Sequence, residues 1–244
     1  MSRDGSSVLV TGGTRGIGLA IALRLVRDGA TRAVLGYMRN DTAAEAAAET
    51  IRGAGAEPVL VRGNVASPTV VAELAAAGPY RVVVHNAATG VIRPALETED
   101  KHWDWTLNAN ARALLAIARA TAPAMEPGSS ILAISSLGSQ RVLENYVLVG
   151  TSKAALEAVI RYLAVELGPL GIRVNAVSGG VVETDALEFF PNKDEMLKTV
   201  ERTPAGRLAA PGDIAAAVSF LASPDAEMVR GQTLIVDGGF SLLA

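Results

Sequence analysis

The sequence predicts a doubly wound α/β fold, in which about seven parallel strands form a sheet with helices on both faces. Short, mostly β-branched runs alternate along the 244 residues with longer Ala-rich segments of helical period. These runs are almost wholly apolar, as expected for strands that are buried on both faces of a parallel sheet. Hydrophobic residues make up 50% of the chain and charged residues 19%, a composition that excludes a disordered protein.

Seven of the short apolar runs are predicted as strands. They are Val8–Val10, Ala33–Leu35, Pro58–Val61, Arg81–His85, Ile131–Ile134, Ile172–Val177 and Thr233–Val236. In a doubly wound sheet, ligands bind beyond the carboxyl ends of the strands, so the residues that follow each strand are the first candidates for function.

The segments between the strands are predicted as helices. Asp41 can cap the second helix, and Glu99 and Asp100 place negative charge in the first turn of a long fourth helix. The predicted helices span residues 16–28, 41–53, 68–77, 98–123, about 150–168 and 211–222. Residues 185–207 are predicted to be irregular or partly helical. No linker or repeat divides the chain, so we expect a single domain over residues 1–244.

The composition excludes several classes of function. The sequence has no Cys and only two His, which excludes disulfides, thiolate metal sites and a cysteine nucleophile and disfavours a multi-His metal site. The net charge of −3 gives no general attraction to nucleic acid. No apolar run approaches ~18 residues, and residues 1–7 lack the apolar core of a signal peptide. We therefore expect a cytoplasmic protein without a membrane or nucleic-acid partner.

The first predicted strand is followed by a glycine-rich turn and a helix. Gly12 can adopt the turn, Gly16 allows the backbone to approach a pyrophosphate, and Gly18 allows helix and strand to pack closely. The helix N-terminus offers free N–H groups and positive potential to phosphates. The spacing is G-x-x-x-G-x-G rather than G-x-G-x-x-G, but its place between a strand and a helix indicates a Rossmann-type dinucleotide site.

The end of the second strand indicates which dinucleotide is bound. An acidic residue there would bond the ribose 2′-hydroxyl of NAD(H). The segment Val34–Asn40 contains none, while Arg39 follows the strand and Arg15 lies in the glycine turn. Two guanidinium groups can converge on a 2′-phosphate, so we expect NADPH as the cofactor.

Together these features resemble the short-chain dehydrogenase/reductase family over essentially the whole chain. His85–Ala88 is similar to the family's N-N-A-G element, with His85 and Ala88 as departures. Asn175–Gly180 is similar to N-A-V-x-P-G, with Gly179 in place of proline. The resemblance implies that NADPH is bound by Gly12, Thr14, Arg15, Gly16, Ile17, Gly18, Arg39, Asn64, Val65, Asn86, Ala87, Lys153, Gly180 and Thr184.

The resemblance also implies a catalytic site made of Asn110, Ser136, a tyrosine and Lys153. The family usually carries Y-x-x-x-K, but the residue four positions before Lys153 is Val149. Tyr146, seven positions before Lys153, is the most sensible candidate among the four tyrosines. This Y-x6-K spacing and the residues around it are most similar to the NADPH-dependent bacterial enoyl-acyl-carrier-protein reductases of type III.

The wider spacing suits the reduction of a conjugated double bond. A carbonyl reductase needs its acid beside the carbon that accepts hydride, whereas hydride addition to C3 of an enoyl thioester places negative charge on the thioester oxygen. A tyrosine at i−4 lies about 6 Å along the helix from the lysine, and one at i−7 lies about 10.5 Å away or in the preceding loop. The displaced Tyr146 can therefore stabilise the enolate. Lys153 can bind the nicotinamide ribose and can lower the Tyr146 pKa from ~10.

We therefore expect an NADPH-dependent reductase of trans-2-enoyl thioesters, carried on acyl carrier protein or CoA, in fatty-acid or polyketide-type biosynthesis. Reduction of 3-oxoacyl thioesters or other carbonyls is the second interpretation, and a non-catalytic NADPH-binding sensor is the third. Ser136 can donate a further hydrogen bond, and Asn110 is expected to hold a water molecule or local backbone. The segment 185–207 carries Phe189 and Phe190 among apolar residues suited to cover an acyl chain. The resemblance implies a homotetramer.

Overall fold

Seven parallel strands form one sheet in the computed structural model, which describes residues 6–184 and 193–243. In chain order the strands are β1 (Ser6–Thr11), β2 (Ala30–Tyr37), β3 (Glu57–Arg62), β4 (Val82–His85), β5 (Ser130–Ser136), β6 (Arg173–Gly179) and β7 (Thr233–Val236). Across the sheet they follow the order β3-β2-β1-β4-β5-β6-β7, and each neighbouring pair is parallel. The predicted doubly wound fold and its seven strands are confirmed.

Helices cover both faces of the sheet. Within the described residues the α-helices are α1 (Gly16–Arg27), α2 (Asp41–Gly53), α3 (Pro68–Ala76), α4 (Asp100–Leu107), α5 (Ala113–Thr121), α6 (Val147–Glu166), α7 (Lys193–Lys198) and α8 (Pro211–Ala222). The cap of α2 is Asn40 rather than Asp41, because Asn40 Oδ1 accepts a hydrogen bond of 2.9 Å from Ala43 N. Among these helices, none has the length and apolar character needed to cross a membrane.

The core lies in two layers, because successive side chains of a strand point to opposite faces of the sheet. In β1, Val8 and Val10 share a hydrophobic cluster with Ile21 of α1. Leu9, between them, belongs to the cluster on the other face, together with Leu156 of α6. All five side chains are fully buried. Coverage of both faces explains why successive residues of the strands are apolar, without the alternation of a half-exposed sheet.

The direction of strand addition reverses between β1 and β4. The chain first moves outward from β1 to β3 and then returns to β4, on the other side of β1. At such a reversal, the connections leave on opposite faces and open a crevice beyond the carboxyl ends of the strands. Thr11 and His85, the last residues of β1 and β4, are paired in register. The glycine-rich turn follows Thr11 and therefore lies at this crevice.

The predicted helix over residues 98–123 is interrupted. A π-helical turn at Asn108–Arg112 separates α4 from α5. A π turn widens the helix to i→i+5 hydrogen bonds and is typical of functional sites. The turn contains the fully buried Asn110, a predicted site residue, so the interruption lies where the sequence analysis places function.

The predicted substrate-covering segment 185–207 is described only in part. Residues 185–192, with Phe189 and Phe190, lie outside the described residues. The short helix α7 and a 3-10 turn at Thr199–Arg202 follow, in agreement with a partly helical segment.

Candidate active site and cofactor crevice

The glycine-rich turn after β1 has the conformation that close approach of a phosphate requires. Gly12 and Gly16 have φ angles of +62° and +53°, a region that favours glycine. A β-carbon on Gly18 would lie 2.1 Å from the Gly12 carbonyl oxygen, so glycine allows α1 to pack directly against the turn. A β-carbon on Gly16 would have Thr184 Cγ2 as its nearest neighbour, at 3.7 Å. Thr184 therefore faces the turn from the segment after β6.

The N-terminus of α1 is open to an anion. Arg15, its N-cap residue, makes no side-chain capping hydrogen bond, and the first turn of α1 has no acidic residue. Thr14 is buried in the turn, and Ile17 is half-buried at the start of the helix. Unpaired N–H groups and the helix dipole favour a pyrophosphate at this position.

Two arginines are available beside this turn. Arg15 and Arg39 are exposed, and in the part of the chain that the structure describes neither forms an ion pair. The nearby Asp41 carboxylate is already engaged, because it accepts a hydrogen bond of 2.9 Å from Tyr37 Oη and lies 3.3 Å from Arg62. The two guanidinium groups are thus suited to a 2′-phosphate.

The segment after β4 is tied to the glycine-rich turn by four hydrogen bonds. Asn86 Nδ2 donates to the carbonyl oxygens of Thr11 and Gly12, at 3.1 and 3.0 Å. The backbone N–H groups of Asn86 and Ala87 donate to Thr11 Oγ1, at 3.1 and 3.0 Å. Asn86 and Ala87 therefore fix the separation between the two walls of the crevice.

His85, where the family usually has asparagine, is fully buried beside this network. Because Thr11 Oγ1 already accepts two N–H groups, its own hydrogen is directed to His85 Nδ1, 3.1 Å away. His85 Nε2 then carries the ring proton and donates to the Asn110 carbonyl oxygen at 3.0 Å. Burial, and to a smaller extent the charge of Lys153, lowers the pKa of His85 to about 4, so the ring is neutral near pH 7.

Three further predicted cofactor residues lie along the same edge of the sheet. Asn64 is exposed, and its Oδ1 accepts a hydrogen bond of 2.9 Å from Ala66 N in the turn after β3. Val65 is half-buried and packs against the core. Gly180 follows β6, and a β-carbon there would lie 2.8 Å from Asp237 Cβ. These residues shape the edge through backbone and packing.

Ser136 and Tyr146 come together at the end of β5. Ser136 is the last residue of β5, Tyr146 is the N-cap residue of α6, and their hydroxyl oxygens are 3.4 Å apart. Asn145 precedes the tyrosine with a φ of +58°, a conformation that asparagine adopts more readily than most residues. Its carbonyl oxygen accepts a hydrogen bond of 2.9 Å from Arg93 N. The sharp turn at Asn145 thus places the tyrosine beside the serine.

Tyr146 is a neutral phenol in this arrangement. Burial raises its pKa, and the hydrogen bond with Ser136 opposes that effect in part. The prediction that Lys153 lowers the Tyr146 pKa is therefore wrong for this structure, because Lys153 Nζ donates instead to the Ile134 carbonyl oxygen at 2.8 Å. A neutral phenol can donate a hydrogen bond to a developing oxyanion.

Lys153 is buried on α6, and its Nζ contacts β5 two residues before Ser136. Desolvation lowers its pKa to about 8, and the charge of Glu157 opposes the shift. An ammonium group with this pKa is mostly protonated at neutral pH, so a positive charge lies within the site.

Asn110 makes its hydrogen bonds outside the Ser136–Tyr146 pair. Its Oδ1 accepts from Thr89 N at 2.9 Å, and its Nδ2 donates to Thr89 O at 2.9 Å and to Ser152 Oγ at 2.8 Å. The side chain therefore holds local backbone, one of the two roles expected for it. Since Ser152 precedes Lys153, Asn110 links the π turn to the lysine-bearing helix.

The position of the family's usual tyrosine is part of the core. Val149 is 7% exposed. Gly90 lies so close to it that a β-carbon there would be 2.2 Å from Val149 Cγ2. The space on this side of α6 is thus filled by valine, and the phenol beside Ser136 comes from Tyr146.

Two residues of the site received no role from the sequence alone. Glu157 is buried on α6 and accepts hydrogen bonds from three side chains at the end of β5 and in the loop after it. Gly138 packs against the ring of Tyr146. The sequence feature that could have indicated a role for Glu157 is an ionisable residue four positions after Lys153 on a largely apolar helix. Gly138 offered no comparable signal.

Comparison with known proteins shows that the chain is similar to reductases. The family model described as Enoyl-(Acyl carrier protein) reductase matches residues 12–241. A 1-cyclohexenylcarbonyl-CoA reductase from Streptomyces collinus is 36% identical over 244 aligned residues, which cover 97% of this chain and 87% of the relative.

Two solved structures of related proteins also resemble this chain over almost its whole length. A blue fluorescent protein from a metagenomic library, in complex with NADPH, has 32% identity and a TM-score of 0.90, over 99% of this chain and 100% of that chain. A short chain dehydrogenase from Burkholderia cenocepacia, in complex with NADP, gives the same identity of 32%, TM-score of 0.90 and coverage of 99% and 100%. Both neighbours thus contain the type of cofactor predicted for this chain.

Proposed function

The chain belongs to the short-chain dehydrogenase/reductase family, and we propose that it reduces the 2,3-double bond of trans-2-enoyl thioesters with NADPH. The observation that carries this proposal is the position of the Tyr146 hydroxyl, beside Ser136 at the N-cap of α6. The usual position of the tyrosine, one turn before Lys153, holds the buried Val149. A donor displaced in this way suits an oxyanion that forms three bonds away from the carbon that accepts hydride.

The residues at the carboxyl edge of the sheet fit NADPH. Gly12 and Gly16 and the free N-terminus of α1 would hold the pyrophosphate, because no β-carbon or acidic side chain obstructs it. Arg15 and Arg39 would bind the 2′-phosphate, and Lys153 the nicotinamide ribose. When bound, NADPH supplies the hydride that adds to C3 of the enoyl group.

The protein's own groups stabilise the charge that this addition creates. Tyr146 Oη donates a hydrogen bond to the thioester oxygen, where negative charge develops. Ser136 Oγ, 3.4 Å from Tyr146 Oη, supports the phenol or donates a second bond to the same oxygen. The Lys153 ammonium adds positive potential below its pKa of about 8. A proton from water then adds to C2 of the enolate and completes the saturated thioester.

The chemistry named for one relative supports this substrate class. In a 1-cyclohexenylcarbonyl-CoA, the thioester carbonyl is attached to a ring double bond, so that substrate is an α,β-unsaturated thioester. We propose the same class for this chain, carried on acyl carrier protein or CoA, with a role in fatty-acid or polyketide-type biosynthesis.

We also propose that the chain forms a homo-oligomer, in the simplest case a tetramer. Tyr162 and Val165 on α6 are 72% and 78% exposed, and Leu234 and Ile235 are partly exposed on the outer strand β7. Exposed apolar side chains such as these are typical of surfaces that another chain covers. Size-exclusion chromatography with light scattering tests this proposal, and a monomer at micromolar concentration would contradict it.

The substrate assignment is tested by following NADPH absorbance with a trans-2-enoyl thioester and with a 3-oxoacyl thioester. We expect oxidation with the enoyl thioester and a loss of about 100-fold or more in Tyr146→Phe, as for removal of an oxyanion donor. Tyr162→Phe, at an exposed position of the same helix, is the matched control and should keep the wild-type rate.

The other outcomes assign the other functions. Turnover of the 3-oxoacyl thioester without turnover of the enoyl thioester would assign carbonyl reduction. Tight NADPH binding without turnover of either substrate would indicate a non-catalytic sensor.

A further inference from the structure

A buried carboxylate lies beside the candidate active site. Glu157 is 4% exposed and follows Lys153 by one turn of α6. It accepts hydrogen bonds from Ser135 Oγ and Ser139 Oγ, both at 2.6 Å, and from Gln140 Nε2 at 3.2 Å. These donors belong to the end of β5 and the loop that follows it. One carboxylate therefore ties the whole loop to the helix.

The same loop carries the serine of the proposed reaction. Successive residues of a strand point to opposite sides, and Ser135 accordingly bonds Glu157 whereas Ser136 faces Tyr146. Ser139 Oγ, besides its contact with Glu157, lies 2.8 Å from the Ser136 carbonyl oxygen. The carboxylate thus holds Ser136 through the residues before and after it.

Packing alone does not explain an acid at this position. Apart from Ser152 and Lys153, the other buried side chains of α6 are apolar, and Leu156 and Ile160 among them are fully buried. Burial of a carboxylate is unfavourable unless several donors compensate it, and here three donors do so. An aliphatic residue would fill the space but would leave Ser135, Ser139 and Gln140 without this common partner.

We propose that Glu157 is a positioning residue, whose carboxylate fixes the loop of residues 135–140 and thereby the Ser136 and Tyr146 hydroxyls. The inference rests on the proposed function, in which Tyr146 is the hydrogen-bond donor to the substrate.

The charge of Glu157 has a second effect on the site. It raises the pKa of Lys153 against the effect of burial. His85 of β4, which also lies near Lys153, is neutral at pH 7 because its own pKa is about 4. Glu157 thus favours the charged ammonium that the proposed mechanism uses.

The first test is Glu157→Gln, which preserves size and shape and removes the charge. We expect kcat for the thioester substrate to fall about 10- to 100-fold, as for a small misplacement of reacting groups. NADPH binding, followed by fluorescence titration, should change less than about 3-fold, since the loop of residues 135–140 is not part of the predicted phosphate site. The matched control is Glu166→Gln, an exposed position on the same helix, which should keep the wild-type kcat.

A double-mutant cycle with Tyr146→Phe separates positioning from a general structural role. If Glu157 acts through the tyrosine hydroxyl, Glu157→Gln adds little to the loss in the Tyr146→Phe background. The low rates of the Tyr146→Phe variants are measured in single-turnover experiments at high enzyme concentration. Two losses that multiply, or a kcat of Glu157→Gln within about 2-fold of the wild type, would overturn the proposal.

A second variant covers the case in which Glu157→Gln does not fold. The pair Ser139→Ala and Gln140→Ala removes two donors at half-buried and exposed positions and leaves the carboxylate in place. The same double-mutant cycle applies to this variant. We expect it to lower kcat in the wild-type background and to add little to the loss in the Tyr146→Phe background. Each comparison uses the thioester that the wild type reduces, either enoyl or 3-oxoacyl. A wrong substrate assignment is therefore detected in the wild type, whereas a wrong role for Glu157 is detected in the comparison of variants.

Discussion

The ring of Tyr146 lies directly against the backbone of Gly138. A β-carbon added at Gly138 would be 2.6 Å from both Cδ1 and Cε1 of the ring, well inside van der Waals contact. Gly138 N also donates a hydrogen bond of 3.3 Å to Ser136 Oγ. One residue without a side chain therefore contacts both hydroxyl-bearing groups of the candidate active site.

Gly138→Ala should displace the tyrosine without unfolding the protein. We expect kcat for the thioester to fall about 10-fold or more, because the Tyr146 hydroxyl moves away from the substrate oxygen, while NADPH binding is retained. Steady-state kinetics and fluorescence titration measure the two effects. Gly53→Ala is the control, since a β-carbon there meets nothing within 4 Å. Unchanged kcat in Gly138→Ala would show that this contact does not set the position of the phenol.

Val149→Tyr restores the family's usual spacing but should not produce a carbonyl reductase. The larger ring has to enter space bounded by Gly90, and overpacking of this kind costs about 1–3 kcal/mol. At about 2–4 °C per kcal/mol for a chain of this size, a measurable fall in Tm follows in differential scanning calorimetry. Val142→Tyr, at a fully exposed loop position, should leave Tm unchanged. A stable Val149→Tyr variant that gains 3-oxoacyl reduction would contradict the packing argument.

His85 should make the protein sensitive to acid. Its pKa of about 4 in the folded protein lies below the ordinary ~6.5, so the unfolded chain takes up this proton first as the pH falls. The contribution is complete above pH ~6.5 and is lost progressively towards pH ~4, which amounts to about 2 kcal/mol between pH ~7.5 and pH ~5. Urea unfolding at the two pH values measures it.

The variant for this test is His85→Asn, which introduces the residue that the family usually has. We expect it to lose less stability than the wild type on acidification, by about the same 2 kcal/mol. Equal losses in both proteins would assign the acid sensitivity to other groups.

Arg39→Ala should weaken NADPH binding selectively. Loss of a charge-assisted contact to the 2′-phosphate should raise KM for NADPH about 10-fold or more and change KM for NADH little. Arg15→Ala should act in the same direction. Arg52→Ala, an exposed arginine of α2 that pairs with Glu49, serves as the control. If the KM values for NADPH and NADH rise together, the arginine does not recognise the phosphate.

Much of the fold could be predicted because burial and close backbone contacts restrict which residue types a position can hold. The seven strands are apolar runs, and Gly12, Gly16 and Gly18 stand where the backbone requires them. The π turn could not be predicted from a residue pattern, because it depends on how the fourth helix packs against its neighbours. The hydrogen bonds of Glu157 and the bond from Lys153 to Ile134 were equally out of reach. They join groups that are 17 to 22 positions apart and depend on the final packing of α6 against β5.

The π turn between α4 and α5 also acts as a phase shift. At 3.6 residues per turn, one extra residue corresponds to about 100° of rotation about the helix axis. Removing one residue from Asn108–Arg112 would therefore turn the outer face of α4, with its half-exposed Trp103 and Trp105, by about a quarter of a circle. The side chains of α5 would keep their places in the core. The surface of α4 is thus set independently of the buried face of α5, although both belong to one run of helix.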